Sequence, residues 1–155
     1  CREGLDVMCQ ILTEICDGQG KEGDLSLLVE LSEAVKDGSL CGLGRTAPNP
    51  VLSTISYFAS EYEAHIQDKR CPACVCKPLF HYLIDEDRCN GCGACKKSCP
   101  HDSIEGETKA LHRIVQAKCT KCGACYDVCP KDAVTKIPNG QKAGVFQKAA
   151  ELTHA

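Results

Sequence analysis

The sequence predicts an α+β chain of two modules, a small helical bundle followed by a cysteine-dense domain. Three observations predict it. Residues 1 to 70 carry little Pro and an apolar period of three to four; residues 71 to 78 crowd Cys and Pro together; and a twelve-residue cysteine run in the second half recurs thirty residues later. The 155 residues hold 15 Cys, no Trp, three Phe and four Tyr, so aromatic anchors are scarce and other crosslinks must contribute. Eighteen basic against 21 acidic residues leave a charge of −3 and no basic patch for nucleic acid. No stretch approaches the roughly 18 consecutive apolar residues of a membrane helix, so no membrane partner is expected. An odd cysteine count excludes a complete disulfide framework and, with the spacings below, favours metal thiolates in a reducing cytoplasm. The opening Cys1-Arg2-Glu3 shows neither an initiator Met nor a signal-like apolar core, and reads as a piece of a longer polypeptide.

Leu5, Met8, Leu12 and Ile15, with Ile11 beside them, form the inner stripe of a first helix that Gly18 and Gly20 stop. Asp24 is placed to cap a second, with Leu28, Leu31 and Val35 inside and Gly38 as its stop. Ser39 to Gly44 is too rich in glycine for a helix. Asn49-Pro50 then offers cap and first-turn proline for a third helix, running to about Lys69 with Val51, Ile55, Phe58, Tyr62 and Ile66 along one face. Leu79 to Ile84 reads as a strand, as do His112 to Val115 and the residues around Ile104 and Val134. A last short helix is expected from about Ala143 to Leu152. The domains are thus 1–70, a cysteine-rich linker over 71–86, the duplicated domain over 87–137 and a tail over 138–155.

The duplicated run is C-x2-C-x2-C-x3-C-P, first as Cys89, Cys92, Cys95 and Cys99 before Pro100, then as Cys119, Cys122, Cys125 and Cys129 before Pro130. Three thiolates on one tight loop can face three irons only if the backbone wraps closely, which Gly93 and Gly123 permit. A zinc ribbon uses two C-x2-C pairs and would leave thiols over. The run resembles the bacterial two-cluster ferredoxins, and the resemblance implies that the Cys before Pro crosses to the other cluster. Cys89, Cys92, Cys95 and Cys129 would then hold a first [4Fe-4S] cluster, and Cys119, Cys122, Cys125 and Cys99 a second. The fold expected is a small cluster-binding helical bundle joined by a Cys/His knot to a two-[4Fe-4S] ferredoxin-like domain.

Cys1-Arg2-Glu3-Gly4, with Ser39-Leu40-Cys41-Gly42-Leu43-Gly44-Arg45-Thr46-Ala47-Pro48-Asn49-Pro50, resembles the NADH-binding flavoprotein family. That family includes the flavin subunits of respiratory complex I and of NAD-linked, electron-bifurcating [FeFe]-hydrogenases. The resemblance implies that Cys1 and Cys41 supply half of a third [4Fe-4S] site, whose other two cysteines would precede Cys1. FMN and NAD sites would also lie upstream. The two-cluster tail favours the hydrogenase-type subunit, with H2, NAD and ferredoxin as reactants of the whole complex. Its partners would be a hydrogenase catalytic subunit, a small [2Fe-2S] subunit and ferredoxin. A formate dehydrogenase subunit is the rival of the same chemistry, and a non-redox metal-binding interaction module the rival of another class. No catalytic residue is expected in these residues.

His65, Cys71, Cys74 and Cys76 fall within twelve positions and offer N and S ligands for a closed zinc site, with Cys16 as the alternative fourth. Zinc there would secure the junction of the modules by contributing folding energy. Cys9 and Cys16 share a helix face and read as core packing. His81, His101, His112 and His154 lack partner spacing and read as solvated or satisfied histidines. Glu30, Glu33, Glu61 and Glu63 read as solvated helix faces.

Overall fold

The computed structural model describes residues 1–141, and the expected helix from Ala143 lies outside them. The chain forms two compact units, Cys1–Leu79 and Phe80 onward, so the Cys/Pro knot folds with the helices while the strand after it belongs to the second unit.

The first unit contains four helices: α1 (Arg2–Cys16), α2 (Asp24–Gly38), α3 (Gly42–Thr46) and α4 (Asn49–Ile66). Their apolar stripes meet in a core of Met8, Ile11, Ile15, Leu28, Val35 and Ile66, with Leu5, Leu12, Leu31, Val51, Ile55 and Tyr62 packed around it. Ser32 is also sealed inside, and its hydroxyl donates to the Leu28 carbonyl at 2.6 Å, the back-bond that lets a polar group sit in an apolar helix face.

Four sequence expectations are corrected here. Gly23, with φ 97°, is the cap residue of α2; Asp24 opens the helix, and its carboxylate accepts from the Lys21 N–H at 2.7 Å. The glycine-rich segment does form a short helix, α3, because the Cys41 thiol accepts from the Gly44 N–H at 3.5 Å and the Thr46 hydroxyl bonds back to the Gly42 carbonyl at 3.0 Å. Pro48, rather than Asn49, precedes the first residue of α4. Phe58 leaves the inner face: its backbone, at φ −127° and ψ 30°, kinks α4, and its ring is half exposed.

The second unit is built from short elements. The 3-10 turn over Lys77–Leu79 that ends the first unit leads into β1 (Phe80–Ile84), followed by α5 (Ala94–Ser98), β2 (Ile104–Glu105), β3 (Arg113–Ile114), α6 (Ala124–Asp127) and β4 (Val134–Pro138). β1 pairs antiparallel with β4 in the register Tyr82 to Lys136 and Ile84 to Val134, and β2 pairs with β3 through Ile104 and Ile114. Alternate residues of β1 face inward, so Phe80, Tyr82 and Ile84 are buried while His81 and Leu83 are half exposed. First and last strands thereby close the unit around two helical turns, each of which carries the third cysteine of its run.

Candidate metal centres

Each cysteine loop turns at a glycine in the left-handed region, Gly93 at φ 74° and Gly123 at φ 90°, and a one-turn helix follows. The left-handed residue reverses the backbone, so the three cysteines of a loop face one side. Cys89, Cys92 and Cys95 line one recess together with Cys129, and Cys119, Cys122 and Cys125 line another together with Cys99. Each recess encloses about 300 Å³, including its open mouth. In both halves the Cys before Pro therefore reaches across to the other loop.

The chemistry of these donors fits a cluster. Ile104 and Ile114 wall the second recess, Ile84 and Val134 the first, giving apolar surroundings that restrict water. The Ser103 N–H points at Cys99 Sγ at 3.4 Å, and the Ala133 N–H at Cys129 Sγ at 3.3 Å, as thiolate ligands require. Burial, then the neighbouring Cys119, pushes the Cys125 thiol up to about 11; burial also raises Cys95. Such thiols stay protonated unless a metal takes the place of the proton. Cys99 differs: burial acts upward, but hydrogen bonds from the Ser103 hydroxyl and backbone bring its net shift downward, with Ser103 Oγ at 3.0 Å from the sulfur.

A tighter cluster lies in the first unit. Among the described residues, His65, Cys71 and Cys76 bring their ligand atoms within 4.8 Å of one another, the spacing of a single ion rather than of a cluster. His65 stands in the last turn of α4, with Nδ1 2.7 Å from the Glu61 carbonyl, which leaves Nε2 as the ligand atom. Burial first, then the Cys16 and Cys71 thiols beside it, push the Cys76 thiol up to about 12. The three donors come from α4 and the loop between Cys71 and Cys76, and Cys16, exposed at the end of α1, lies beside Cys76 but outside that trio. Cys74 is buried in the same loop and, like Cys16, outside the trio: its backbone adopts φ 51°, and its sulfur lies 4.0 Å from the Pro72 carbonyl.

Cys1 and Cys41 are exposed and meet around Gly44, where an added Cβ would lie 3.2 Å from the Cys1 Cβ. Cys9 and Cys16 are both exposed on α1, which removes both from the core expected for them. His81 makes a 3.4 Å contact with Asn139 Oδ1, and His101 is exposed. His154 lies outside the described residues. His112 departs from the reading given to it: it is 2 % exposed, its Nδ1 has no hydrogen-bond partner, and its ring lines the first recess. The signal was present in the repeat, because His112 precedes Cys119 by the same seven positions as Tyr82 precedes Cys89.

Comparison with known proteins defines the class. Residues 1–65 match the NADH-ubiquinone oxidoreductase-F iron-sulfur binding region, and residues 82–136 match the 4Fe-4S dicluster domain. The chain is the iron–sulfur region of an NADH-dehydrogenase-type flavoprotein, extended by a two-cluster domain.

It is 51 % identical over 112 residues to the NADP-reducing hydrogenase subunit HndC of Solidesulfovibrio fructosivorans, covering 72 % of this chain and 23 % of that protein. Over 72 residues it is 39 % identical to the F subunit of the NADH-quinone oxidoreductase of Streptomyces coelicolor, covering 46 % of this chain and 16 % of that one. Over 68 residues it is 35 % identical to the NADP(+)-dependent formate dehydrogenase subunit beta of Moorella thermoacetica, covering 44 % and 10 %. The chain thus spans less than a quarter of these relatives.

Proposed function

We propose that this chain is an electron-transfer region of an NAD(P)-linked oxidoreductase, of the hydrogenase type. The observation that carries this reading is the pair of interleaved cysteine quartets, each completed by the Cys before Pro of the other run. A bound [4Fe-4S] cluster supplies reversible one-electron transfer with little rearrangement. The chain's residues do the rest: Cys89, Cys92, Cys95 and Cys129 hold the first cluster, and Cys99, Cys119, Cys122 and Cys125 the second. Ile84, Ile104, Ile114 and Val134 give each recess apolar walls, and the Ser103 and Ala133 N–H groups temper the charge on the Cys99 and Cys129 sulfurs. Each quartet spans both halves, α5 and α6 pack together, and the two centres would sit in one compact unit suited to passing electrons between them.

The hydrogenase-type assignment draws on the likeness to HndC, whose match extends through most of this chain. With it come electron bifurcation among H2, NAD(P) and ferredoxin, a hydrogenase catalytic subunit and a small [2Fe-2S] subunit as partners, FMN and nucleotide sites outside these residues, and a cytoplasmic location. The formate dehydrogenase subunit in Moorella keeps a second reading open, in which the same clusters serve formate oxidation. Cys1 and Cys41 supply half of a third cluster site; the wholly exposed Leu40 and the largely exposed Leu43 beside Cys41 suit a face that further protein covers. His65, Cys71, Cys76 and Cys16 hold a structural zinc that ties the ends of α1 and α4 to the cysteine loop. No helix among the described residues is long and apolar enough to cross a membrane.

Anaerobic metal analysis tests the reading. The quartets should contribute roughly eight iron and eight sulfide per chain, the content of two four-iron clusters. Cys95→Ser should damage the first cluster and Cys125→Ser the second, each sparing the other in EPR of the reduced protein. A colourless chain holding zinc without iron, or about four iron in all, would defeat the assignment in favour of a non-redox module or a single centre.

A further inference from the structure

The two halves of the duplicated unit differ where it matters for a redox centre. Tyr82 and His112 occupy equivalent positions, and each lies over the cysteine loop of the opposite run. A Cβ on Gly123 would come 3.2 Å from the Tyr82 hydroxyl, and a Cβ on Gly93 would come 3.9 Å from His112 Nε2. Tyr82 brings the second recess a ring packed against Phe80 at 5.5 Å and Tyr126 at 6.1 Å. His112 brings the first recess an imidazole, sealed from solvent and pressed on Gly106, where a Cβ would fall 2.9 Å from the ring.

A second difference runs the other way. Ser103 sets its hydroxyl 3.0 Å from Cys99 Sγ, a ligand of the second quartet, and Ala133 at the equivalent place has no such group for Cys129. The second centre therefore has a side-chain donor in Ser103. The first has no hydroxyl at that place; its recess is lined by the polar side chains Asn90, Lys131 and His112, of which His112 alone is sealed from solvent.

An imidazole nitrogen buried without a partner is costly, and its ordinary remedies are a protein acceptor or water. Here Nδ1 finds no acceptor, and the recess that the ring lines is bounded by four thiol sulfurs. We propose that His112 donates an imidazole N–H hydrogen bond to the sulfur shell of the first cluster and thereby raises its reduction potential. The proposal rests on the cluster reading above. An N–H dipole aimed at sulfur stabilises the added negative charge of the reduced centre, so removing it makes reduction harder. His112 is a positioning and tuning residue: Ser103 does for one centre what His112 does for the other, from different places in the repeat.

The test is EPR-monitored redox titration of the cluster-loaded full chain, resolving the two centres, for wild type, His112→Phe and His112→Gln. His112→Phe keeps the volume and removes the donor. At a fixed potential it should lower the reduced-to-oxidised ratio of the first cluster up to tenfold, about 59 mV for a one-electron couple, while leaving the second in place. His112→Gln, which keeps an N–H, should restore much of the ratio. An unmoved first cluster in a loaded His112→Phe chain, or equal shifts in both clusters, overturns the donor role. If His112→Phe fails to fold, ENDOR on the reduced wild type labelled with 15N-histidine decides the matter: a coupled ring nitrogen with a slowly exchanging proton supports the role, and its absence overturns it. Iron missing from the wild-type first quartet overturns the cluster reading itself, and the donor role with it.

Discussion

The helical unit and the duplicated unit are held together by different means. The first closes an aliphatic core in which Leu28 and Met8 are almost wholly buried, and its helices would recognise each other without any metal. The second has strands of two to five residues and helices of four or five, too short to persist alone, and its apolar side chains partly pack on one another, as Phe80 does on Tyr82, and partly wall two recesses. Groups bound in those recesses would add to the cohesion that this packing and the β1–β4 pairing supply. The comparison teaches that one chain can place packing where rigidity suffices and metal–sulfur bonds where electron transfer is required.

The largest effect should follow from stripping iron. Removing both clusters with a chelator under mild oxidation should unfold the second unit, seen as loss of hydrogen-exchange protection from Phe80 to Pro138, with α1 and α2 still protected. Equal loss in both units would break the comparison. Next in size, Leu28→Ala should destabilise the helical unit by about 2–5 kcal/mol, because it empties a fully buried site between helices. Denaturant melting should show that cost while the visible absorption of the clusters is unchanged. Smaller again is the effect at the knot. Cys16→Ser should weaken zinc binding at least tenfold, about 1.4 kcal/mol, with iron content unaffected, whereas Cys74→Ser should leave zinc stoichiometry intact. Equal zinc loss in both variants would restore Cys74 as a ligand.

Much of this organisation is legible in the sequence because it is local. The helical period and terminal glycine mark α2 at Asp24–Gly38, and the spacing within each cysteine run places three thiols on one loop. Chemistry that needs only neighbours along the chain leaves its mark in spacing. The reading of Ser39 to Gly44 as non-helical failed through side chains: a thiol cap at Cys41 and a hydroxyl bond from Thr46 offset the low propensity of glycine over a single turn. Phe58 fits the period yet faces solvent, because a period assumes a straight helix and α4 is kinked at that residue.

By itself, then, the sequence determined the two modules, the helical stripes, the paired cysteine runs and the family they resemble. Tertiary structure decided which distant side chains share a site. Cys16 and Cys76 are sixty positions apart, and only the packing of α1 against α4 brings them together. His112 has no ligand spacing, and its meaning appears only when the fold buries its ring beside Cys89, Cys92, Cys95 and Cys129 and leaves Nδ1 without an acceptor. Spacing encodes what a loop can do within a few residues. The partner of a buried polar atom is set by chain closure in three dimensions, where the cost of leaving that atom unpaired is incurred.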